Sequence, residues 1–430
     1  MNDRIIIVGG GPAGSAAASL LSRSGKEVLL LEKESFPRFH IGESLLPFSN
    51  RVLDRIGVWE KVQNAGFMSM PGAEFVLSDG SAFRRFWFGD GLSEPYDKTF
   101  QVERSKFDAL LLDHARESGT AVLSGAAARG FREESDGVEV EYETAGKTKR
   151  VRGRWLIDAT GREPFLGKLL SLPKTDLGIP KKMAVYTHFR NVRRNPGKAE
   201  GNITVVRLSD GWFWIIPLDS EKTSVGMVRP LSVFQNRNGT PQELFARTVR
   251  ESRELSRRLE KAEPMGSFRT TADYTYRLER LAGPRWLTIG DAAGFLDPVF
   301  SSGVTVALEG GMLAAESVLR RSKGATCFSP VQQQEFTRKI HALARRFERM
   351  IEMFYDDRAF EVFMTPRPPL AMKEAVIHLL AGSTDLRLSL WLRVKLFYLL
   401  CWIQRRWRLA PSLDYRSSLG LLSDASPLAP

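Results

Sequence analysis

Apolar positions along the chain gather into short β-branched runs, separated by small-residue or amphipathic stretches, which predicts strands alternating with helices. Ile5 to Val8 is a continuous apolar run suited to a strand buried on both faces. Ser15 to Ser22 carries the small and apolar residues of a helix packed tightly on a sheet, and Gly25 closes it. Glu27 to Leu31 predicts a second buried strand, and the pattern returns at Trp155 to Asp158 and at Leu287 to Ile289. Val122 to Glu143 alternates apolar and polar residues, which predicts an antiparallel hairpin turning at Ser135-Asp136-Gly137. Ala184–Phe189, Ile203–Arg207, Trp212–Pro217 and Thr223–Val228 predict a separate antiparallel sheet. From Ser329 the period becomes helical: Phe336 to Met353 is amphipathic, Pro366-Arg367-Pro368-Pro369 breaks it, and helices are expected over Leu370–Ala381 and Leu386–Arg406. The expected fold is therefore α/β. It has a first region at 1–325, a sheet lobe interleaved at about 65–100 and 175–280, and a helical C-terminal region at 326–430.

Composition narrows the class. At 430 residues, with 43% hydrophobic and 26% charged residues, the chain can bury a large core as a soluble globular protein. The two cysteines, Cys327 and Cys401, make no disulfide framework and no metal-ligand cluster, which fits a reduced, cytoplasmic setting. The net charge of +12 fits either a solvated basic surface or attraction to an acidic partner, such as a carrier protein presenting a tethered substrate. No nucleic-acid recognition motif accompanies it. Ile5 to Val8 is too short for a secretory apolar core. Leu388 to Ile403 is apolar and aromatic, but Arg393 and Lys395 interrupt it before it reaches the ~20 residues a membrane span requires. A buried helix is expected there, with weak interfacial membrane contact through 388–408 as the alternative, ended by Arg405, Arg406 and Arg408.

Gly9, Gly11 and Gly14 form a G-x-G-x-x-G turn, with Pro12 and Ala13 inside it, between the first strand and the first helix. Gly9 allows the tight turn, Gly11 lets backbone approach a pyrophosphate, and Gly14 permits close helix–strand contact. Exposed N–H groups at the helix start attract a diphosphate, and Glu32, followed by Lys33, can accept from a ribose hydroxyl. This module alone does not separate FAD from NAD. Trp155 to Arg162, ending in an Ala-Thr-Gly turn with Asp158 and Gly161, and Leu287 to Ala293, ending in Gly290-Asp291, both resemble pieces of glutathione-reductase-type FAD folds. That resemblance implies FAD, with Asp291 on a ribityl hydroxyl and Arg104 near the phosphates. A helix-flanking surface arginine is the plainer reading of Arg104. A single dinucleotide fingerprint argues against a dedicated nicotinamide domain.

Three further segments resemble the flavin-dependent halogenases. Phe36 to Pro47 resembles the F-P-R-x-x-I-G-E-S-L-L-P stretch of members acting on phenolic, pyrrolic or carrier-bound substrates. It implies that Arg38, Gly42, Glu43 and Ser44 lie along a loop near the flavin. His40 invites reading as a general base, or as a structural histidine. Trp212 to Pro217 resembles the family's W-x-W-x-I-P motif, thought to obstruct substrate approach to the flavin, although Trp212 and Trp214 equally fill a domain junction. Geranylgeranyl-reductase-like flavoproteins carry a similar stretch. Asp297 to Gly303 resembles D-P-x-x-S-S-G, which implies that Pro298, Ser302, Gly303 and Val304 lie against the flavin, with Ser302 and Gly303 facing a halide if one is used.

The family's lysine, expected within G-F-x-x-K-x-G-A, is replaced: Gly66 to Ala73 places Met70 at that position, and no lysine lies between Lys61 and Lys98. A protonated amine can hold or carry hypohalous acid, whereas a thioether does neither and is itself oxidised. The leading expectation is an FAD- and O2-dependent oxidoreductase of secondary metabolism that dehydrogenates or otherwise oxidises an aromatic or carrier-tethered substrate. A separate reductase supplying reduced flavin fits the family pattern. The alternatives are a true halogenase with a relocated amine, a double-bond reductase, and a non-catalytic flavin-binding partner protein.

Overall fold

Ile5–Val8 is the middle strand of a five-stranded parallel sheet in the order Trp286–Thr288, Trp155–Asp158, Ile5–Val8, Val28–Glu32, Ala121–Ser124. This computed structural model describes residues 3–236, 239–273, 275–321, 327–366, 371–383 and 387–415. The chain divides into two compact units, the first being Met1–Phe67, Val102–Ile179 and Thr275–Arg349 and the second Met68–Gln101, Pro180–Tyr274 and Met350–Pro430.

In the first unit, Ile5, Ile6 and Ile7 are fully enclosed, as an all-parallel sheet covered on both faces requires. Helix Pro12–Arg23 packs between helices Arg104–Glu117 and Ser302–Arg321. Small residues permit that approach: a Cβ on Gly311 would overlap the carbonyl oxygen of Ala13. Arg51 ties helix Ser49–Arg55 to Ser302–Arg321 through two bonds to the Glu309 carboxylate, 2.7 and 2.9 Å.

The hairpin expected over Val122–Glu143 is instead part of a three-stranded antiparallel sheet, Ala126–Glu133, Val138–Thr144 and Lys147–Gly153, while Ala121–Ser124 joins the parallel sheet. The added strand reads KTKRVRG and is largely exposed, so it carries no apolar alternation. Cross-strand pairing holds it, including Arg150 on Glu141 at 3.0 Å.

The second unit is built on an eight-stranded sheet. Its order is Glu263–Pro264, Lys182–Arg190, Thr223–Pro230, Trp212–Pro217, Ile203–Arg207, Gly72–Leu77, Phe83–Trp87, with Arg269–Asp273 also pairing Lys182–Arg190. The sheet is mixed rather than purely antiparallel, because Ile203–Arg207 runs parallel to Gly72–Leu77. These two strands come from separate passages of the chain, so no hairpin fixes their direction.

Its two faces differ. Val185, Val206, Phe213, Ile215, Val225 and Met227 form one face, sealed by Phe234, Leu244, Phe245 and Leu255 from the helices that follow. The other face takes the alternate residues, among them Lys182, Tyr186, Arg207, Trp212 and Trp214. C-terminal aromatic residues cover part of it, with Phe363 packed edge-on to Phe75 at 4.8 Å. The helices Asp357–Met364, Met372–Leu380 and Leu388–Gln404 complete the unit. Arg367 to Leu370 and Leu386, expected at helix boundaries, lie outside the described residues.

Candidate active site

The first unit places the glycine turn at the carboxyl end of the central strand. Gly9 adopts φ +104°, where a side chain is strained. A Cβ on Gly9 would overlap the Ala159 carbonyl, and one on Gly14 the Gly9 carbonyl. A Cβ on Gly11 would meet only the Arg38 guanidinium, 3.6 Å away. The outer glycines therefore let the chain pack on itself, while the middle one faces open space beside a cation. Pro12 opens the helix and Ala13 follows it, leaving unused backbone N–H groups in the first turn. Glu32 is buried, and its carboxylate accepts from Gly10 N at 2.6 Å and Glu34 N at 2.8 Å, with lone pairs remaining for a hydroxyl. Lys33 points to the surface, 3.7 Å from Glu163.

Arg104 is buried and faces inward. Its Nε and Nη2 pair with the fully buried Asp108 carboxylate at 2.7 and 2.9 Å, and Nη1 donates to the carbonyls of Ile41 and Gly42 at 3.0 and 3.3 Å. Arg38 Nη1 reaches the same carboxylate at 3.2 Å. Arg104 thus fixes the loop carrying Gly42, Glu43 and Ser44 from a buried rather than a surface position. Only the spacing of Arg104 and Asp108 hinted at this, since the loop partners lie far off in sequence. Glu43 and Ser44 are buried, and Val102 N donates to the Glu43 carbonyl at 2.7 Å. Burial, aided by the Arg104 charge, pushes His40 down to about 4, so its ring is neutral at neutral pH.

Asp158 turns its carboxylate back on its own turn, accepting from Thr160 N at 3.0 Å, Thr160 Oγ1 at 2.7 Å and Leu166 N at 2.8 Å. It shapes the turn at Gly161 (φ +76°). Gly290, Asp291, Ser302 and Gly303 line one small cavity of about 30 Å³ with Tyr276 and His341. Tyr276 Oη donates to the Asp291 carbonyl at 2.6 Å. Pro298 lies in a short turn capped by Asp297, which accepts from Val299 N at 3.0 Å, and Ser301 at φ +53° then swings the chain into helix Ser302–Arg321. Ser302 and Val304 are buried at that start, and a Cβ on Gly303 would meet nothing within 4 Å. Open space before free backbone N–H groups suits the pyrimidine edge of a flavin.

Burial raises the Asp291 carboxyl to about 6, with Arg104 and Arg162 pulling the other way. A hydroxyl donor binds the ionised form better, so FAD affinity is expected to rise with pH through about 6 and to fall below it. Asp291→Asn should remove that pH step and weaken FAD roughly 10- to 100-fold, read by flavin fluorescence titration.

In the second unit Met70 lies in strand Met68–Met70, paired with Thr99–Gln101, and is 1% exposed. Its Sδ accepts from Gln101 Nε2 at 2.8 Å, and the same amide donates to the Gly201 carbonyl at 3.1 Å. Nearby in the strand that follows, buried Glu74 accepts from Arg85 at 2.6 Å and Asn202 at 3.3 Å. Trp212 and Trp214 are buried with ring centroids 5.8 Å apart. Trp212 Nε1 donates to Tyr355 Oη at 2.9 Å, and Trp214 Nε1 to Ser224 Oγ at 3.0 Å. Trp214 lies over Gly226, where any Cβ would strike its ring. Beside them Lys182, 3% exposed, sets its ammonium 3.5 Å from the Tyr355 ring centroid. By sequence, Lys181 and Lys182 are distant lysines that could reach the site with nothing to predict it, because the neighbours of Lys182 lie far off in the chain.

The family model described as FAD binding domain matches residues 3–324. A 1H-pyrrole-2-carbonyl-[peptidyl-carrier protein] chlorinase of Pseudomonas fluorescens is 33% identical over 343 residues, covering 74% of this chain and 76% of that one. The chain belongs to the flavin-dependent halogenase family. A brominase of the same carrier-bound pyrrole, from Pseudoalteromonas luteoviolacea, is 32% identical over 323 residues, with 74% and 78% covered. Among solved structures, a flavoprotein/dehydrogenase from Cytophaga hutchinsonii superposes with a TM-score of 0.86 at 29% identity, covering 94% of this chain and 98% of that one. This member of the halogenase family is an FAD enzyme of oxidative secondary metabolism. Its open Gly11 and Gly303 positions fit that cofactor.

Proposed function

We propose that this halogenase-family enzyme oxidises an aromatic or carrier-tethered substrate by removing two hydrogens, with O2 as final acceptor, and does not halogenate through position 70. Bound oxidised FAD supplies the two-electron acceptor. The observation carrying this reading is Met70, enclosed and with its sulfur engaged by Gln101. A thioether holds no proton to donate to hypohalous acid and offers no amine to carry halogen. Trp212, Trp214, Tyr186 and Tyr355 form an apolar wall that excludes water and suits a planar ring. Carrier tethering is supported by two relatives named for pyrrole groups on a peptidyl-carrier protein, and by the charge of +12. The Cytophaga flavoprotein/dehydrogenase adds weight to dehydrogenation.

One observation favours a second reading, halogenation with a relocated amine. Lys182 places a buried ammonium beside Trp212 and Tyr355. The two readings part in one assay using reduced FAD, a flavin reductase, O2 and chloride or bromide, with free and carrier-bound pyrroles and phenols followed by mass spectrometry. Product two hydrogens lighter, unchanged when halide is omitted, is the expected result. A halogen mass gain that Lys182→Met abolishes, with FAD content intact, would overturn it in favour of the second reading.

A further inference from the structure

Helix Leu388–Gln404 has two apolar faces and the protein covers one of them. Leu390, Val394, Phe397, Cys401 and Gln404 are buried on one side. The opposite side carries Leu388, Trp391, Leu392, Leu399 and Trp402, which share a stripe at helical spacing. Their exposure is high: 73% for Leu388 and 53% for Trp402, continued past the helix by Trp407 at 62% and Leu409. A helix apolar all round belongs between two apolar media, and here one is missing.

From Arg387 to Leu409 no Asp or Glu occurs, while Arg387, Arg393, Lys395, Arg405, Arg406 and Arg408 do. Arg393 is paired with Glu374 and Arg405 with Asp356. Among the described residues Arg406 and Arg408, both exposed, have no ion-pair partner, so the end of the stripe is cationic. Lys395 sits within the stripe, its ammonium 5.1 Å from the Trp391 ring centroid.

We infer that this face docks on an anionic lipid surface, with the helix lying in the interfacial plane. Lys395 decides between possible occupants. A second copy meeting this stripe face to face would bring two lysines into one apolar patch, desolvating like charges. At a lipid surface the lysine stem lies among acyl chains while the ammonium reaches the phosphates. Tryptophan favours the same depth, and the arginines add attraction to acidic headgroups. The helix lies on the surface rather than crossing it: no helix among the described residues is long and apolar enough to span.

The test uses the full chain loaded with FAD and two vesicle types, phosphatidylcholine alone and phosphatidylcholine with phosphatidylglycerol. Sedimentation with the anionic vesicles is expected at least about 10-fold tighter than with the neutral ones, weakened by salt, with blue-shifted tryptophan emission. The triple variant Leu392→Gln, Leu399→Gln, Trp402→Gln should lose on the order of 100-fold in vesicle affinity. Its flavin content and unfolding midpoint should be unchanged, because these side chains are exposed. Arg406→Glu with Arg408→Glu should lower the anionic preference and keep the fold. The inference is overturned if wild type fails to sediment with anionic vesicles, or if the triple variant binds them equally well. Light scattering showing a dimer that the triple variant splits would assign the face to a second copy instead.

Discussion

Gly14→Ala is expected to strip the flavin from this enzyme. The added methyl would overlap the Gly9 carbonyl oxygen and press to 3.3 Å on the Ala159 side chain. Neither neighbour can yield cheaply: the first is backbone in the turn, and the second follows the buried strand Trp155–Asp158. The helix must then move off the sheet, taking its N–H groups away from the pyrophosphate. Overpacking of this kind typically costs about 1–3 kcal/mol, so FAD affinity should fall up to roughly 100-fold. Purified protein should be pale, with little absorbance near the flavin bands. Protein as yellow as wild type, with unchanged affinity, would count against the cradle.

Arg104→Met is expected to destabilise the first unit by about 3 kcal/mol. Asp108 is fully enclosed, and removal of its main partner leaves a buried carboxylate whose remaining ion-pair contact among the described residues is Arg38 at 3.2 Å. That remaining contact places the cost toward the low end for a broken buried pair. The Gly42 carbonyl loses its Arg104 donor and the Ile41 carbonyl is left to His40 Nδ1 at 2.9 Å, so the loop bearing Glu43 and Ser44 should loosen. Denaturant unfolding followed by flavin release reads the first effect, and proteolysis near Ile41 reads the second. Arg104→Met combined with Asp108→Leu should recover part of the stability without restoring the loop. Equal destabilisation in the single and double variants would contradict this account.

What the sequence disclosed, and what it hid, follows from how local each interaction is. The cradle from Ile5 to Glu32 was readable because strand, turn, helix and acid are contiguous, and each has its own physical requirement. Lys147–Gly153 was not, because its partners rather than its own alternation make it a strand. The parallel pairing of Ile203–Arg207 with Gly72–Leu77 was hidden for a related reason, since no turn links the two. In the site, the glycines announce themselves, but the hold of Arg104 on the loop does not, because its acceptors, Ile41 and Gly42, lie far upstream. Asp158 is marked by its place at a strand end, but the bonds of its carboxylate to Thr160 and Leu166 are not readable from that place. Gln101 carried no mark of its tie to Met70, since amide-to-thioether bonds leave no sequence pattern.

The unlike faces of the eight-stranded sheet bear on how such an enzyme changes its chemistry over time. Alternate residues along each strand answer to different demands: Phe213, Ile215 and Val225 keep the scaffold upright, while Trp212, Trp214 and Lys182 stand on the opposite surface. Mutation can therefore explore new reactivity at every second position without toppling the architecture. A lineage can give up one reactive group and recruit another from a neighbouring strand while the backbone stays where it was.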